Sequence, residues 1–131
     1  MEKFSPIHKH MLIKAHVGKF PKQPAKANKM LLGLVAAIGM VPVTKPQSVY
    51  ISVPGNEGLT GSVNLATSHI AYHIWDESGL LMMDVYSCCE FDEMVVLSYL
   101  EDYFKFNVVE YATIDRNNLG KVLIHMKMGE V

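Results

Sequence analysis

The feature that most restricts the fold is the run from residue 48 to residue 87, where short segments of strand character are cut by "PGNEG" at 54–58 and "DESG" at 76–79. Glycine, proline, asparagine and aspartate in such breaks favour tight reversals. Residues 48–53, 61–66, 68–75 and 80–87 therefore read as consecutive strands of a β-meander. In an extended 68–75 segment, Ser68, Ile70, Tyr72 and Ile74 share one face, while His69, Ala71, His73 and Trp75 share the other.

The flanks add two helices and further strands. Residues 7–17 alternate, with Ile7, Met11, Ile13 and Ala15 on one side and His8, His10, Lys14 and His16 mostly on the other, as in a half-buried strand. After a turn at 21–24, Ala27, Met30, Leu31, Leu34, Val35 and Ile38 keep helical spacing, and Gly39 is placed to end the helix. Asp92 can cap a second helix with Glu93 in its first turn and Val96, Leu97, Leu100 and Phe104 as its apolar stripe. Residues 108–114 and 121–126 close the chain as strands around "DRNNLG". These elements predict an α/β (α+β) two-layer sandwich, a mostly antiparallel sheet with helices on one face. Met82, Met83, Val85, Ile70 and Ile74 are expected to make both faces of the central strands apolar, so dimerisation is expected to bury the second face.

Composition narrows the function classes. The 131 residues fit one domain, 1–131, and half are hydrophobic. Twelve basic and 13 acidic residues leave a formal charge of -1, too balanced for a polyanion-binding surface, so neither nucleic acid nor an anionic membrane is an expected partner. The start, "MEKFSPIHKH", lacks the apolar core of an export signal, and the apolar run 30–41 spans only about 18 Å as a helix, short of a membrane crossing. The two cysteines, Cys88 and Cys89, are neighbours, a poor arrangement for a disulfide. A reduced, cytoplasmic setting is expected.

The reactive residues have ordinary readings. On a strand, His69 and His73 have Cα atoms about 13 Å apart, too far for one ion. His8 and His10 have no nearby thiolate or carboxylate in sequence to complete a ligand set, so they read as solvated and no metal is expected. Ser68, His73 and Asp84 are a chance trio without the G-x-S-x-G elbow of a hydrolase. "GNEGLTG" lacks the spacing of a phosphate loop. Cys88 lies near Glu90 and Asp92, which are expected to raise its pKa and keep the thiol protonated.

Taken together, "LTGSVNLATSHIAYHIWDESG", "LLMMDVYSCCEFD" and "NVVEY" resemble the short prokaryotic-type S-adenosylmethionine decarboxylase proenzyme family, and "KHMLIKAH" matches more loosely. The match rests on Ser68, His69, His73, Trp75, Glu77, Asp84 and Cys88 in order without gaps. The resemblance implies self-cleavage between Thr67 and Ser68, leaving a pyruvoyl cofactor at residue 68 that forms a Schiff base with the substrate amine and accepts the electrons released with CO₂. It implies that His73 and Thr60 assist cleavage, that Cys88 reprotonates the substrate carbon, and that Tyr50, Trp75 and Glu77 contact the substrate. A strained peptide bond at the cleavage site would favour attack. The implied assembly is a homodimer packed sheet to sheet, and the implied role is polyamine (spermidine) biosynthesis.

The chain departs from that pattern at Thr67, where glutamate is usual, at Asp76, where proline is common, and at Cys89, where glycine is usual. Its upstream segment "VYISVPG" replaces the family's His-x-Phe. Two other readings therefore stand beside S-adenosylmethionine decarboxylation. One is a pyruvoyl decarboxylase of arginine or ornithine, and the other is an uncleaved homologue acting as a binding or partner subunit.

Overall fold

A computed structural model describes residues 6–129. The opening residues Met1 to Ser5, part of the segment read for an export signal, lie outside the described residues. The chain runs β1 (Lys9–Val17), α1 (Pro24–Ala37), β2 (Gln47–Ile51), β3 (Gly58–Asn64), β4 (His69–Trp75), β5 (Leu80–Ser87), α2 (Glu93–Phe104), β6 (Phe106–Asp115) and β7 (Val122–Gly129). All seven strands form one antiparallel sheet in the order β2-β3-β4-β5-β1-β6-β7. The expected meander is β2 to β5, and β1 inserts between β5 and β6 at the middle of the sheet.

Local chemistry accounts for the element ends. Pro24 opens α1, where a missing N–H costs nothing. After Ile38, Gly39 takes φ +74 while its N–H reaches the Ala36 carbonyl and the Met40 N–H reaches that of Val35, closing the helix as expected. The Asp92 carboxylate accepts from the Met94 N–H at 2.8 Å and caps α2. Gly79 ends the "DESG" turn at φ +70, and a Cβ there would lie 2.8 Å from the Val17 carbonyl oxygen.

Both helices cover one face. Ala27, Met30, Leu31, Leu34 and Val35 of α1 and Val96, Leu97, Leu100 and Phe104 of α2 bury against Met11, Ile13, Ile70, Tyr72, Leu81 and Val85 in a single cluster. The other face departs from expectation. Ile70, Ile74, Met83 and Val85 all point to the helices, and of that group only Met82 reaches the open side. Alternation gives the open face His10, Leu12, Lys14 and His16 from β1, His69 and His73 from β4, and Asp84 and Tyr86 from β5. It is histidine-rich, with Leu12, Ala71, Leu80 and Met82 set among the polar groups.

Lys9 reverses the usual pattern. It keeps step with Met11, Ile13 and Ala15, so its side chain enters the core, where Nζ bonds the Glu90 and Glu93 carboxylates and the Phe91 carbonyl. Thr113 donates to the other oxygen of Glu93 at 3.0 Å. Burial alone would lower the lysine pKa, but the two carboxylates hold it above its ordinary value. This knot fixes the segment from Cys88 to Glu93 against β1.

Candidate active site

The cleavage-site residues meet where the β3–β4 hairpin abuts the end of β5. The Leu65 N–H donates to the Ser68 carbonyl at 2.8 Å, so Ala66 and Thr67 form a two-residue loop with Ser68 at its exit. Leu65 is tied to Pro42 by an isolated bridge, which braces the loop from the α1–β2 connection. Ser68 Oγ accepts from the Cys88 N–H at 3.2 Å and lies 3.4 Å from Ser87 Oγ and 4.0 Å from Cys88 Sγ. Thr67 Oγ1 and Cys88 Sγ share a hydrogen bond of 2.6 Å. Thr67, Ser68 and Cys88 are thus brought together from two segments 20 residues apart.

One expectation about this end is corrected, and another finds no support in the backbone. Neither Ala66, Thr67 nor Ser68 has a positive φ, so the backbone dihedrals give no support to a strained peptide bond. The Cys88 thiol lies below, not above, its ordinary pKa. Its hydrogen bond with Thr67 dominates, with further bonds from Cys89 and Ser68, while Glu90 turns away to Lys9 and Asp92 caps α2. The neighbouring Cys89 thiol is raised by its contact with Cys88.

The remaining candidates gather elsewhere. Thr60 pairs with His73 across β3 and β4, and their side chains bond at 3.0 Å. His73 lies five residues along β4 from Ser68, about 16 Å away at strand rise, so one chain does not bring this pair to its own cleavage bond. Trp75 stands beside His73 on the same face, ring centroids 6.2 Å apart, and its indole N–H donates to Asn56. Glu77 is exposed in the following turn. Tyr50 pairs with buried Leu59, which puts it on the helix side of the edge strand, away from His73 and Trp75. Its hydroxyl donates to Asp76 at 2.6 Å, and that bond raises the phenol pKa.

Asp84 belongs to no Ser68–His73 triad. It accepts from His10 at 2.9 Å and lies 3.7 Å from His69. Burial pushes its pKa up, but the hydrogen bond and charge of His10, then His69, bring it below the usual carboxylate value. The carboxylate thought missing near His10 is therefore supplied from β5. A groove of about 520 Å³ crosses the open face between the two clusters, lined by Leu12, Lys14, His73, Met82, Asp84 and His125 among others. At its far wall His125 and Glu110 bond at 2.7 Å, which lowers the Glu110 pKa.

Comparison with known proteins identifies the class. The family model for S-adenosylmethionine decarboxylase matches residues 17–117. The chain belongs to the S-adenosylmethionine decarboxylase family. It is 30% identical over 64 residues to the S-adenosylmethionine decarboxylase proenzyme of Clostridium botulinum (strain Langeland), covering 48% of this chain and 55% of that one. It is 37% identical over 60 residues to the proenzyme of Pyrococcus horikoshii, covering 45% and 43%. These alignments span about half the length of each relative. The fold matches the crystal structure of the adenosylmethionine decarboxylase from Aquifex aeolicus VF5, with a TM-score of 0.71 at 22% identity over 86% of this chain and 92% of that one. No helix among the described residues is long and apolar enough to cross a membrane.

Proposed function

We propose that the chain is a self-processing pyruvoyl-dependent decarboxylase of S-adenosylmethionine that serves polyamine (spermidine) synthesis. The observation that carries this reading is the junction of Thr67, Ser68 and Cys88, a hydroxyl adjoining the peptide carbonyl to be cleaved with a thiol beside it. Attack of Ser68 Oγ on the Thr67 carbonyl moves the acyl group from nitrogen to oxygen. Elimination releases the Thr67 carboxylate, and hydrolysis with loss of ammonia leaves the ketone on residue 68. The attack uses only the backbone carbonyl of residue 67, so threonine there is compatible with it. The pyruvoyl group supplies an electrophilic carbonyl and an electron sink for loss of CO₂.

The chain's own residues provide the rest. The Cys88 N–H and Ser87 hydroxyl hold Ser68 Oγ at the loop exit. A thiol below its ordinary pKa is a stronger acid, which suits Cys88 to deliver a proton to the substrate carbon. Thr60 orients His73 for proton transfer, Trp75 flanks that pair, and Glu77 in the turn after β4 is left to the substrate. Because His73 lies about 16 Å from Ser68 along β4, its partner serine belongs to a second copy. Packing two open faces about a two-fold axis that runs the β4 strands in opposite directions sets the His73 end of one over the Ser68 loop of the other, where Ser68 Oγ itself lies on the helix side against Ser87. Tyr50 remains on the helix side, where its hydroxyl braces Asp76 in the turn that carries Glu77.

The test is release of labelled CO₂ from carboxyl-labelled S-adenosylmethionine, arginine and ornithine by the processed protein. Release from S-adenosylmethionine alone is expected. Turnover of arginine or ornithine in its place would reassign the substrate. In the same assay, Cys88→Ala is expected to process normally and lose about 10²-fold or more in turnover, the usual scale for a general acid. Wild-type turnover by that variant would remove Cys88 from the mechanism.

A further inference from the structure

The strands β4, β5 and β1 are neighbours at the centre of the sheet, and their register sets His69, Tyr86 and His10 in one cross-strand row on the open face. Asp84, two residues before Tyr86, shares that face. Both imidazoles aim Nε2 at the same oxygen, Oδ2 of Asp84, at 2.9 Å from His10 and 3.7 Å from His69. The three ligand atoms all lie within 4.8 Å of one another.

We propose that His10, His69 and Asp84 form a binding site for a divalent first-row transition-metal ion such as zinc. Bonds of about 2.0–2.1 Å in a tetrahedral site separate neighbouring ligand atoms by about 3.3 Å, so the observed spacing closes on an ion with small side-chain rotations. Two neutral nitrogens and one carboxylate oxygen suit zinc, cobalt, nickel or copper, whereas calcium and magnesium favour all-oxygen shells. The donors come from three central strands, which restrict their backbones. The Tyr86 ring packs against both imidazoles, with centroids 5.7 Å from His10 and 5.5 Å from His69, and limits their rotation. The side chains are 19%, 38% and 29% exposed for His10, His69 and Asp84, open enough for an ion to enter. The remaining coordination positions face the open side, where water or a donor of a facing copy can complete the shell.

Sequence spacing hides this set, because its members are separated by 59 and 15 residues and are joined only by strand register. Cleavage between Thr67 and Ser68 leaves all three donors in the protein, with His69 directly after the converted residue, and the test below reads metal binding rather than turnover. The test is titration of the untagged full chain with zinc by calorimetry and with cobalt(II) by visible absorption, beside His10→Gln, Asp84→Asn and the control His125→Gln. One equivalent is expected to bind with the spectrum of a four-coordinate nitrogen and oxygen site. Affinity should fall at least about tenfold in His10→Gln and Asp84→Asn, a scale that loss of even an outer-shell partner reaches, and stay unchanged in His125→Gln. Circular dichroism identifies any variant that misfolds, and the other then decides. Absence of saturable binding, unchanged affinity in a folded His10 or Asp84 variant, or a thiolate charge-transfer band from Cys88 or Cys89 would overturn the assignment.

Discussion

Co-expression of Ser68→Ala with His73→Ala is expected to restore processing and decarboxylation that neither variant shows alone. Thr60 on β3 bonds His73 at 3.0 Å, but His73 stands about 16 Å along β4 from Ser68, beyond the reach of direct proton transfer. In a mixed dimer, the His73→Ala chain supplies an intact Ser68 and the Ser68→Ala chain supplies an intact His73. One of its two sites is whole. Random assortment makes half the dimers mixed, so activity of about a quarter of wild type is expected. Tagging the two chains differently and purifying the mixed species raises the expectation to about one half per dimer. Persistent inactivity of a verified mixed dimer would show that each chain acts on itself, and the geometry would then require β4 or its loop to move.

Lys9→Ala is expected to cost about 3 kcal/mol of folding stability, read as a lower urea midpoint at neutral pH. The change leaves Glu93 buried with Thr113 as its remaining side-chain donor and releases Glu90, and with it the segment that carries Cys88, from β1. The lysine pKa is raised in the folded protein, so the stabilisation it reports is fully present below the ordinary lysine value and is lost as pH rises through the raised one. The deficit should therefore be largest at neutral pH and shrink in strong alkali. Lys9→Met with Glu93→Leu is expected to recover most of the loss, because an apolar pair can replace a buried ion pair of similar volume. A Lys9→Ala midpoint within error of wild type would show that the knot contributes little.

Much of the architecture was legible because it is local. Val96, Leu97, Leu100 and Phe104 keep helical spacing and all four are buried; β5 occupies 80–87 as read from its alternation and flanking turns. The S-adenosylmethionine decarboxylase resemblance likewise rests on a continuous run of residues, and the family match over 17–117 agrees with it. What escaped depends on which strands become neighbours. Nothing in the first strand announces that it will insert between β5 and β6, so the meeting of His10 with Asp84 and His69 could not be read along the chain.

The chemical readings failed where a local neighbour proved to be engaged elsewhere. Glu90 and Asp92 looked like the charges that govern Cys88, yet one pairs with Lys9 and the other caps α2, leaving the hydroxyl of Thr67 to set the thiol. Lys9 itself carried a signal: it occupies the same alternating positions as Met11, Ile13 and Ala15, and a lysine in phase with a core face needs buried acidic partners. The second face is apolar in part, but most of the residues named for it lie on the other side. Met82 is one residue out of step with Met83 and Val85, and alternation sends those two to the helices with Ile70 and Ile74.

Denaturing mass spectrometry of the purified wild-type chain beside Ser68→Ala tests the central claim most directly. Two fragments that meet between Thr67 and Ser68, the second beginning with a pyruvoyl group, are expected from the wild type, with a single intact chain from the variant. A wild-type protein that stays intact under conditions in which a related proenzyme cleaves would contradict self-processing and favour a role as an uncleaved binding or partner subunit.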